Sequence, residues 1–268
     1  MNYTIARKNG SGAIIWSEDQ KRYIISEYTI KDKTLKSLAT EFNVQPQSIR
    51  NLLRKEKIEI TSKKIRNYPR NSNYFENINS SDKAYWLGIM LSDGSVTSKN
   101  SINLRLKDKE HVEKFQRAVG ATNHKITTVK DERWEKTCYT YNLSLKDSKM
   151  AKDLAQYGCV PNKSYIGFSF PHIEEKYYYD FLRGYFDGEG SIYYTKKKYI
   201  LSWVGSKDFL EQVKVILNKE KISLCQNIKS KICYDLKICG KKDVLNILHK
   251  MYDNSTIETR LDRKYKIV

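Results

Sequence analysis

Two acidic residues stand at the ends of two apolar segments of similar pattern. Asp93 lies in AYWLGIMLSDGS (84–95) and Glu189 lies in DFLRGYFDGEGS (180–191), each directly before a glycine. The apolar residues recur with a helical period, so each carboxylate is expected where a helix ends. A helix carries partial negative charge at its C-terminal end, which makes an anion there unfavourable by roughly 0.3–1 kcal/mol. A bound cation would remove this repulsion, so both acids are candidate metal ligands.

A pair of such carboxylates suits the hydrolysis of phosphodiesters. Divalent cations held by two acids activate a water molecule and stabilise the leaving oxygen. Neither acid has a His or Cys beside it in the sequence, and ligands that are all oxygen favour Mg²⁺ over zinc. We therefore expect Asp93 and Glu189 to bind Mg²⁺, with Mn²⁺ able to replace it.

Small residues near the two acids predict how the acids meet. Gly88 and Ser92 are four residues apart, and Gly184 and Gly188 have the same spacing. Residues four apart lie on one face of a helix, and small side chains there let two backbones approach closely. The sequence therefore predicts two helices that pack on each other and are related by a pseudo-two-fold axis.

The segments that follow the two acids also repeat. LRLKDKEHVEKFQRAV (104–119) corresponds to WVGSKDFLEQVKVIL (203–217), and YTYNLSLKDSKMAKDLAQYG (139–158) corresponds to CYDLKICGKKDVLNILHKMY (233–252). Each copy has the periodicity of a helix, two strands, a helix, two strands and a helix. The sequence therefore predicts an α+β fold, with a pseudo-two-fold pair of αββαββα units over 81–268. The halves are expected at about 81–170 and 171–268.

A separate helical domain is expected over residues 1–60. Ser17 and Thr34 can cap two short amphipathic helices, and a third begins near Gln45. The segment LKSLATEFNVQPQSIRNLLRKEKI (35–58) resembles a helix-turn-helix, whose second helix enters the major groove of DNA. A small helical module that binds a protein is the alternative.

The third helix would present three polar side chains to DNA. Gln47, Asn51 and Arg54 are spaced four and three apart and so share one helix face. Gln and Asn suit adenine edges, and Arg suits guanine or phosphate. Polar residues 61–80 then predict a basic linker. Its basic side chains, which either follow phosphates or are simply solvated, are Lys63, Lys64, Arg66 and Arg70.

The overall charge of the chain points to a polyanionic partner. Lys and Arg number 49 against 31 Asp and Glu in 268 residues, and the net charge is +18. The net charge is positive in each of the segments 1–60, 61–80 and 81–268, which suggests an extended footprint on nucleic acid. No run reaches the ~20 apolar residues of a membrane span. The five cysteines form no CxxC pair, and with no export signal we expect a cytoplasmic protein.

The two acid-bearing segments resemble a known family. WLGIMLSDG (86–94) and LRGYFDGEG (182–190) resemble the two motifs of a single-chain LAGLIDADG homing endonuclease, a resemblance that covers about 188 of the 268 residues. By motif register it places the metal-binding, catalytic acids on Asp93 and Glu189. Asp187 falls on an earlier acid position whose counterpart is Leu91. We rank Glu189 above Asp187 as the ligand, although either could reach a cation.

The resemblance also assigns basic catalytic positions after the last helix of each half. They fall on Lys163, in PNKS, and Lys264, in DRKY. A lysine there would stabilise the pentavalent phosphate or order the attacking water. Ordinary surface charge is the alternative for either lysine, and Arg263 and Lys266 compete with Lys264 for the role.

The resemblance further implies that the strands form two sheets lying as a saddle over DNA. Side chains at alternate strand positions would face the groove. The candidate DNA contacts on this saddle are Asn103, Arg105, Lys107, Tyr193, Lys196, Lys198, Lys229 and Lys231.

The implied activity is that of a monomeric, site-specific endonuclease in intron homing. It would make Mg²⁺-dependent double-strand breaks in DNA at a long asymmetric target. An RNA maturase for intron splicing is one alternative, with RNA as partner, and it would not need both acids. A DNA-binding transcriptional regulator that has lost catalysis is the other.

Overall fold

The computed structural model describes residues 7–8, 14–30, 33–60, 69–131, 138–195, 198–218, 222–226 and 233–266. The chain divides into two compact units, Met1–Asn67 and Tyr68–Val268. Among the described residues, no helix is long and apolar enough to cross a membrane.

The described part of the first unit contains three helices and one pair of very short strands. Its elements are β1 (Arg7–Lys8), β2 (Ile14–Ile15), α1 (Glu18–Thr29), α2 (Leu35–Glu41) and α3 (Pro46–Lys55). Ser17 and Thr34 cap α1 and α2 through their side-chain oxygens, as the sequence predicts. The antiparallel pairing of β1 with β2 was not predicted, because two-residue strands carry no alternation, so this unit is not all-α.

The second unit contains the predicted repeat. Its first half runs α4 (Ser81–Ser92), β3 (Gly94–Val96), β4 (Ser101–Leu106), α5 (Lys109–Ala118), β5 (Thr127–Asp131), β6 (Cys138–Lys146), α6 (Ser148–Gln156) and α7 (Lys163–Ile166). Its second half runs α8 (Tyr178–Glu189), β7 (Gly190–Thr195), β8 (Lys198–Gly205), α9 (Lys207–Leu217), β9 (Ile222–Gln226), β10 (Tyr234–Cys239), α10 (Lys241–Tyr252) and α11 (Asp262–Tyr265). The αββαββα order is confirmed in both halves, with a one-turn helix added after each.

Each half forms a four-stranded antiparallel sheet with the same topology. The strand orders are β3-β4-β6-β5 and β7-β8-β10-β9. One face of each sheet is apolar: Leu104 lies opposite Leu143, Trp203 lies opposite Leu236, and all four are fully buried. Antiparallel sheets often bury one face and leave the other to solvent, so the second face is free to carry polar side chains.

Helices α4 and α8 pack backbone against backbone between the halves. A Cβ built on Gly88 would lie 2.6 Å from the backbone nitrogen of Tyr185, and one on Gly184 would overlap the carbonyl oxygen of Tyr85. No side chain fits in either place. The predicted close approach of small residues is thus confirmed, and it fixes where the two helices end relative to each other.

The second unit begins earlier than the sequence suggests. Tyr74, Phe75 and Ile78 are buried in its core, and Arg70 Nε donates to Asp147 Oδ2 at 2.5 Å. The part of the predicted linker from 69 to 80 therefore belongs to the folded second unit, because its apolar residues have a core to enter. The remaining linker residues with predicted phosphate contacts lie outside the described residues: Lys63, Lys64 and Arg66.

Candidate active site

The two predicted acids lie at adjoining helix ends. Asp93 follows α4 directly and donates its backbone N–H to the Ile89 carbonyl, and Glu189 is the last residue of α8. A Cβ built on Gly188 would lie 2.6 Å from Asp93 Oδ2. The Asp93 carboxylate therefore lies against the residue that precedes Glu189. The tight helix pair brings both acids to one edge of the unit.

Charge and partial burial act together on these carboxyl groups. Burial raises the pKa of Asp93, and the positive charges of Lys264 and Lys163 oppose that shift. Burial also raises the pKa of Glu189, and the negative charge of Asp93 raises it further, again against both lysines. Asp93 is half-buried, whereas Glu189 is exposed, so both can be reached from solvent. The four side chains therefore form one electrostatic cluster.

Each lysine caps the end of one motif helix. Lys163 Nζ donates to the carbonyl of Ser92 at 3.2 Å, and Lys264 Nζ donates to the carbonyl of Gly190 at 2.6 Å. Both lysines are buried, with 7% of each exposed. An ammonium group suits the negative end of a helix, so both lysines have a structural partner beside the acids. Burial lowers the pKa of Lys264 to about 8.

The two basic residues that compete with Lys264 are exposed. Arg263 Nε donates to Asp108 at 3.2 Å, and Lys266 follows the last turn of α11. Of these three residues, only Lys264 is buried against the end of α8. The matched placement that the sequence predicts for Lys163 and Lys264 is therefore present in the structure.

Asp187 occupies a different environment from Glu189. Its Oδ1 accepts from the Tyr252 hydroxyl at 2.5 Å. Its Oδ2 accepts from the Tyr85 hydroxyl and from the Leu261 backbone N–H, each at 2.7 Å. With 2% of the residue exposed, Asp187 is a buried acceptor, and Glu189 is the candidate ligand. The sequence signal for this network was a tyrosine within each of two apolar helical patterns, Tyr85 on α4 and Tyr252 on α10.

The donor set at the helix ends fits a hard cation. Asp93 and Glu189 offer carboxylate oxygens at the ends of α4 and α8. The described residues contain no group of three or more His, Cys, Asp or Glu that could hold a metal. Mg²⁺ is usually held by one or two carboxylates, with waters and substrate phosphates completing its shell. Two acids beside a basic surface therefore suit Mg²⁺ bound together with a phosphate.

A cavity opens beside the first acid. It has a volume of about 620 Å³, and Asp93, Lys163 and Tyr165 line it together with hydroxyl side chains of β3 and the turn after it, Ser95 and Thr97. Hydroxyl groups and a lysine are common partners of phosphate oxygens. The cavity is therefore suited to a segment of nucleic-acid backbone next to the acids.

The polar sheet faces hold several of the predicted DNA contacts. Asn103 and Arg105 alternate with buried Ile102 and Leu104 along β4, so they face away from the core. Arg105 Nε donates to Thr140 Oγ1 of β6 at 2.7 Å. Lys107 follows β4 and is exposed.

In the second sheet the structure covers fewer of the predicted contacts. Tyr193 of β7 is 39% exposed. Lys198 begins β8, but its side chain is not described. Lys196, Lys229 and Lys231 lie outside the described residues.

Further basic residues share these faces. Lys146 of β6 lies opposite Ser101 and is exposed, and Lys237 of β10 lies opposite Ser202. Sequence analysis missed both, although Asn142, Ser144 and Lys146 stand at alternate positions of β6. That period-two pattern of β6 was a signal that could have identified Lys146.

In the first unit, α3 holds the predicted DNA-binding face. Gln47 Nε2 donates to Asn51 Oδ1 at 2.9 Å, and Arg54 is exposed one turn further on. The three side chains lie on one exposed face of a helix whose opposite face buries Ile49, Leu52 and Leu53. That this face binds DNA stays a prediction.

Comparisons with known proteins agree with the repeat. A family model described as a LAGLIDADG-like domain matches residues 176–252, and one described as a WhiA LAGLIDADG-like domain matches residues 82–139. No curated protein sequence matches the chain. The two family models fall on the two halves, each across one motif helix.

Three solved structures are similar to this chain at low sequence identity. The homing endonuclease I-WcaI bound to its DNA recognition sequence is 14% identical with a TM-score of 0.53, over 80% of this chain and 97% of that chain. The N-terminal LAGLIDADG domain of DUF199/WhiA is 14% identical with a TM-score of 0.45, over 74% of this chain and 93% of that chain. I-DmoI in complex with DNA and Mn is 17% identical with a TM-score of 0.42, over 69% of this chain and 100% of that chain.

The I-WcaI match supports the fold alone, because its identity is low. Sequence motifs, two family models and two repeated half-folds nevertheless agree on the same helices. The chain therefore contains two LAGLIDADG-like domains in a single polypeptide, one in each half of the repeat.

Proposed function

We propose that this protein is a Mg²⁺-dependent homing endonuclease that cuts both strands of DNA at a long asymmetric site. The observation that carries the proposal is the cluster at the ends of α4 and α8. There Asp93 and Glu189 lie together, and the buried lysines Lys163 and Lys264 flank them. A structural role alone gives no reason to place two acids at the negative ends of two helices.

The cluster divides into ligands and positive charges. Asp93 and Glu189 would hold Mg²⁺, which when bound supplies an activated water and stabilises the leaving oxygen. Lys163 and Lys264 hold positive charge beside the place where a phosphate would meet the acids. That charge stabilises a phosphate as negative charge develops on it. Both ammonium groups are held by backbone carbonyls and need little reorganisation.

The rest of the second unit would supply the contacts that bind DNA. The net charge of the whole chain is +18, which favours binding to a polyanion of any sequence. The polar sheet faces carry the side chains that would contact DNA, among them Asn103, Arg105, Lys146 and Tyr193. Because B-form DNA has two-fold symmetry, a pseudo-two-fold protein can present one half to each strand. A single chain with two unlike halves is suited to an asymmetric target.

A cleavage assay tests this proposal. The full chain is incubated with a plasmid carrying the DNA that flanks its coding sequence, in Mg²⁺, in Mn²⁺ and in excess chelator. We expect linear product in either metal and none in chelator. Asp93→Asn and Glu189→Gln should each abolish the linear product while DNA affinity is retained, since the ligand is lost but the basic surface remains. Full cleavage by either variant would remove the metal-site assignment.

A DNA-binding regulator without catalysis is the second candidate. Residues 82–139 match a WhiA LAGLIDADG-like domain, a description that names no nuclease activity. On this alternative the wild-type chain would bind a specific DNA site without cutting it in either metal. Binding would also be unchanged by Asp93→Asn. The same assay therefore separates the two candidates.

A further inference from the structure

The segment that carries Lys264 is attached to α8 by a buried carboxylate. Asp187 Oδ2 accepts the backbone N–H of Leu261 at 2.7 Å, and Leu261 is the residue directly before α11. The carbonyl of Leu261 in turn accepts the backbone N–H of Lys264 at 2.9 Å. Asp187 thus fixes the first residue of the turn that directs Lys264 back to the end of α8.

The same carboxylate also joins three helices. Its other contacts are the hydroxyl groups of Tyr252 on α10 and Tyr85 on α4. All three side chains are buried, with at most 2% exposed. Every partner is a donor, so the carboxylate acts as the acceptor at the centre. The position of Leu261 is therefore defined relative to both motif helices.

Further polar contacts hold the same segment. Arg183 Nε of α8 donates to the Thr259 carbonyl at 2.8 Å. Lys114 of α5 lies 3.2 Å from Asp262, and Arg117 lies 2.9 Å from Glu258. Two of these contacts come from α8, the helix that ends in Glu189. Arg183 reaches Thr259, whereas Asp187 reaches Leu261, the residue directly before α11.

The corresponding segment of the first half is attached differently. Leu91 stands in α4 at the position of Asp187, and it is buried. Val160 precedes Lys163 by three residues, as Leu261 precedes Lys264, and its carbonyl likewise accepts the backbone N–H of the lysine, at 3.2 Å. The backbone N–H of Val160, however, donates to the Gly158 carbonyl at 3.0 Å. The two lysine-bearing turns are thus attached by unlike interactions, one through a local backbone contact and one through a buried carboxylate.

We propose that Asp187 is a positioning residue for Lys264. By accepting the Leu261 N–H it keeps the Lys264 ammonium against the Phe186 and Gly190 carbonyls, beside Glu189. The role depends on an acceptor at this position. It rests on the proposed nuclease function, in which each half serves one DNA strand. Loss of the acceptor should then slow cleavage of one strand selectively.

The test measures each strand separately. A duplex labelled on one strand or the other is cut in single-turnover reactions by the wild-type chain, Asp187→Leu and Asp187→Asn. Asp187→Leu reproduces the residue of the first half. We expect it to slow one strand by about tenfold or more relative to the other, because small misplacements of a positioned group cost that much. Asp187→Asn should slow cleavage of that strand less, since the asparagine carbonyl can still accept the Leu261 N–H.

Two further variants separate positioning from loss of folding. Leu261→Pro removes the N–H donor itself. Leu261 has φ −89° and Arg260 before it is extended, which a proline can follow. It should show the same strand bias as Asp187→Leu. Val244→Ala, in the core on α10, should lower stability and slow both strands equally or not at all. Equal slowing of both strands in all variants, or no bias in Asp187→Leu, would overturn the proposal.

Hydrogen exchange gives a readout that does not depend on cleavage. In Asp187→Leu the amides of 257–266 should exchange faster, while those of α4 and α8 keep their protection. Unchanged protection of the Leu261 amide would overturn the proposed tether. If the wild-type chain cuts neither strand, the proposed nuclease function fails, and the exchange result still decides whether Asp187 holds this segment.

Discussion

Lys163 and Lys264 stand at matched positions after the last long helix of their halves, yet each donates to a backbone carbonyl at the end of a motif helix. A lysine so placed can neutralise the helix end, stabilise a phosphate, or do both. Its role in the reaction is therefore measured by the difference between cleavage and binding. Substitution of a residue that acts mainly in the transition state lowers the cleavage rate more than it lowers the DNA affinity.

Lys163→Ala should slow cleavage by about tenfold to a hundredfold and change DNA affinity much less. The ammonium group beside Asp93 would be lost, whereas the sheet faces would be unchanged. Lys152→Ala is the matched control, because Lys152 is exposed on α6 of the same half. Single-turnover rates and equilibrium binding are measured for both. If both substitutions change only the affinity, and by the same factor, Lys163 is a phosphate contact without a part in the chemistry.

His111 of α5 is buried beside the hydrogen bonds of Asp187, and its Nε2 lies 2.9 Å from the Tyr85 hydroxyl. Tyr85 donates its only hydroxyl proton to Asp187, so His111 donates through Nε2–H. Among the described residues, none is a hydrogen-bond partner of His111 Nδ1. Burial lowers the pKa of His111 from 6.5 to about 3. The folded state therefore holds this imidazole neutral over a range in which the unfolded state binds a proton.

Linkage gives the sign of the pH dependence. Between pH 6.5 and about 3 the unfolded chain carries more protons at His111, so its contribution to the free energy of unfolding falls as the pH falls. His111→Phe removes the titration and should flatten the loss of stability between pH 7 and 5. Denaturant unfolding of both proteins at several pH values measures this. Parallel curves for the two proteins would show that the pKa of His111 is the same in the folded and the unfolded chain.

At the scale of elements, periodicity and repetition predicted most of the fold. The period of AYWLGIMLSDGS and the repeat of its pattern at 180–191 placed both motif helices and the acids at their ends. The sequence did not predict that residues 69–80 are packed, because Asn and Ser dominate that stretch and only Tyr74, Phe75 and Ile78 enter the core. Asp187 was left as an alternative ligand because motif register cannot distinguish a buried acceptor from a metal ligand. The tyrosines that surround it come together only in the tertiary structure.

Gly184→Ala tests the contact on which the site depends. Its Cβ would lie 2.9 Å from the carbonyl carbon of Tyr85 and 3.1 Å from the nitrogen of Ile89. These are backbone atoms, so α4 and α8 would have to separate, at a cost of about 1–3 kcal/mol or more. Because the acids stand at the ends of these helices, cleavage should fall beyond the loss of stability.

Gly205→Ala is the control for this prediction. The neighbours of its Cβ would be side chains, Tyr185 and Phe209 at 3.0 and 3.1 Å, which can shift. Thermal unfolding and cleavage rates are compared for the two variants. A loss of stability in Gly184→Ala no larger than in Gly205→Ala would contradict the backbone contact of the two motif helices.

At the scale of the whole molecule, the second unit contains the candidate active site, and the N-terminal unit is a separate addition to it. Residues 68–268 contain both acids, both lysines and both sheets, whereas residues 1–67 fold around a core of their own. Positive charge in both units is consistent with a DNA contact from each of them. The boundary at Asn67 also makes the two contributions separable by truncation.

Removing residues 1–67 should leave a folded nuclease with a shorter footprint. Two tethered DNA contacts reinforce each other through effective concentration, so affinity should fall and the salt dependence of binding should weaken as phosphate contacts are lost. The footprint should shorten at one end only, because there is one N-terminal unit.

Gln47→Ala, Asn51→Ala and Arg54→Ala in the full chain should reproduce the loss at that end, since these side chains share the exposed face of α3. A chain lacking residues 1–80 is the comparison, and it should be less stable because it loses buried Phe75 and Ile78. Footprints and salt titrations on the same target measure the outcome. An unchanged footprint and affinity in the shorter deletion would show that the three helices bind something other than the target DNA.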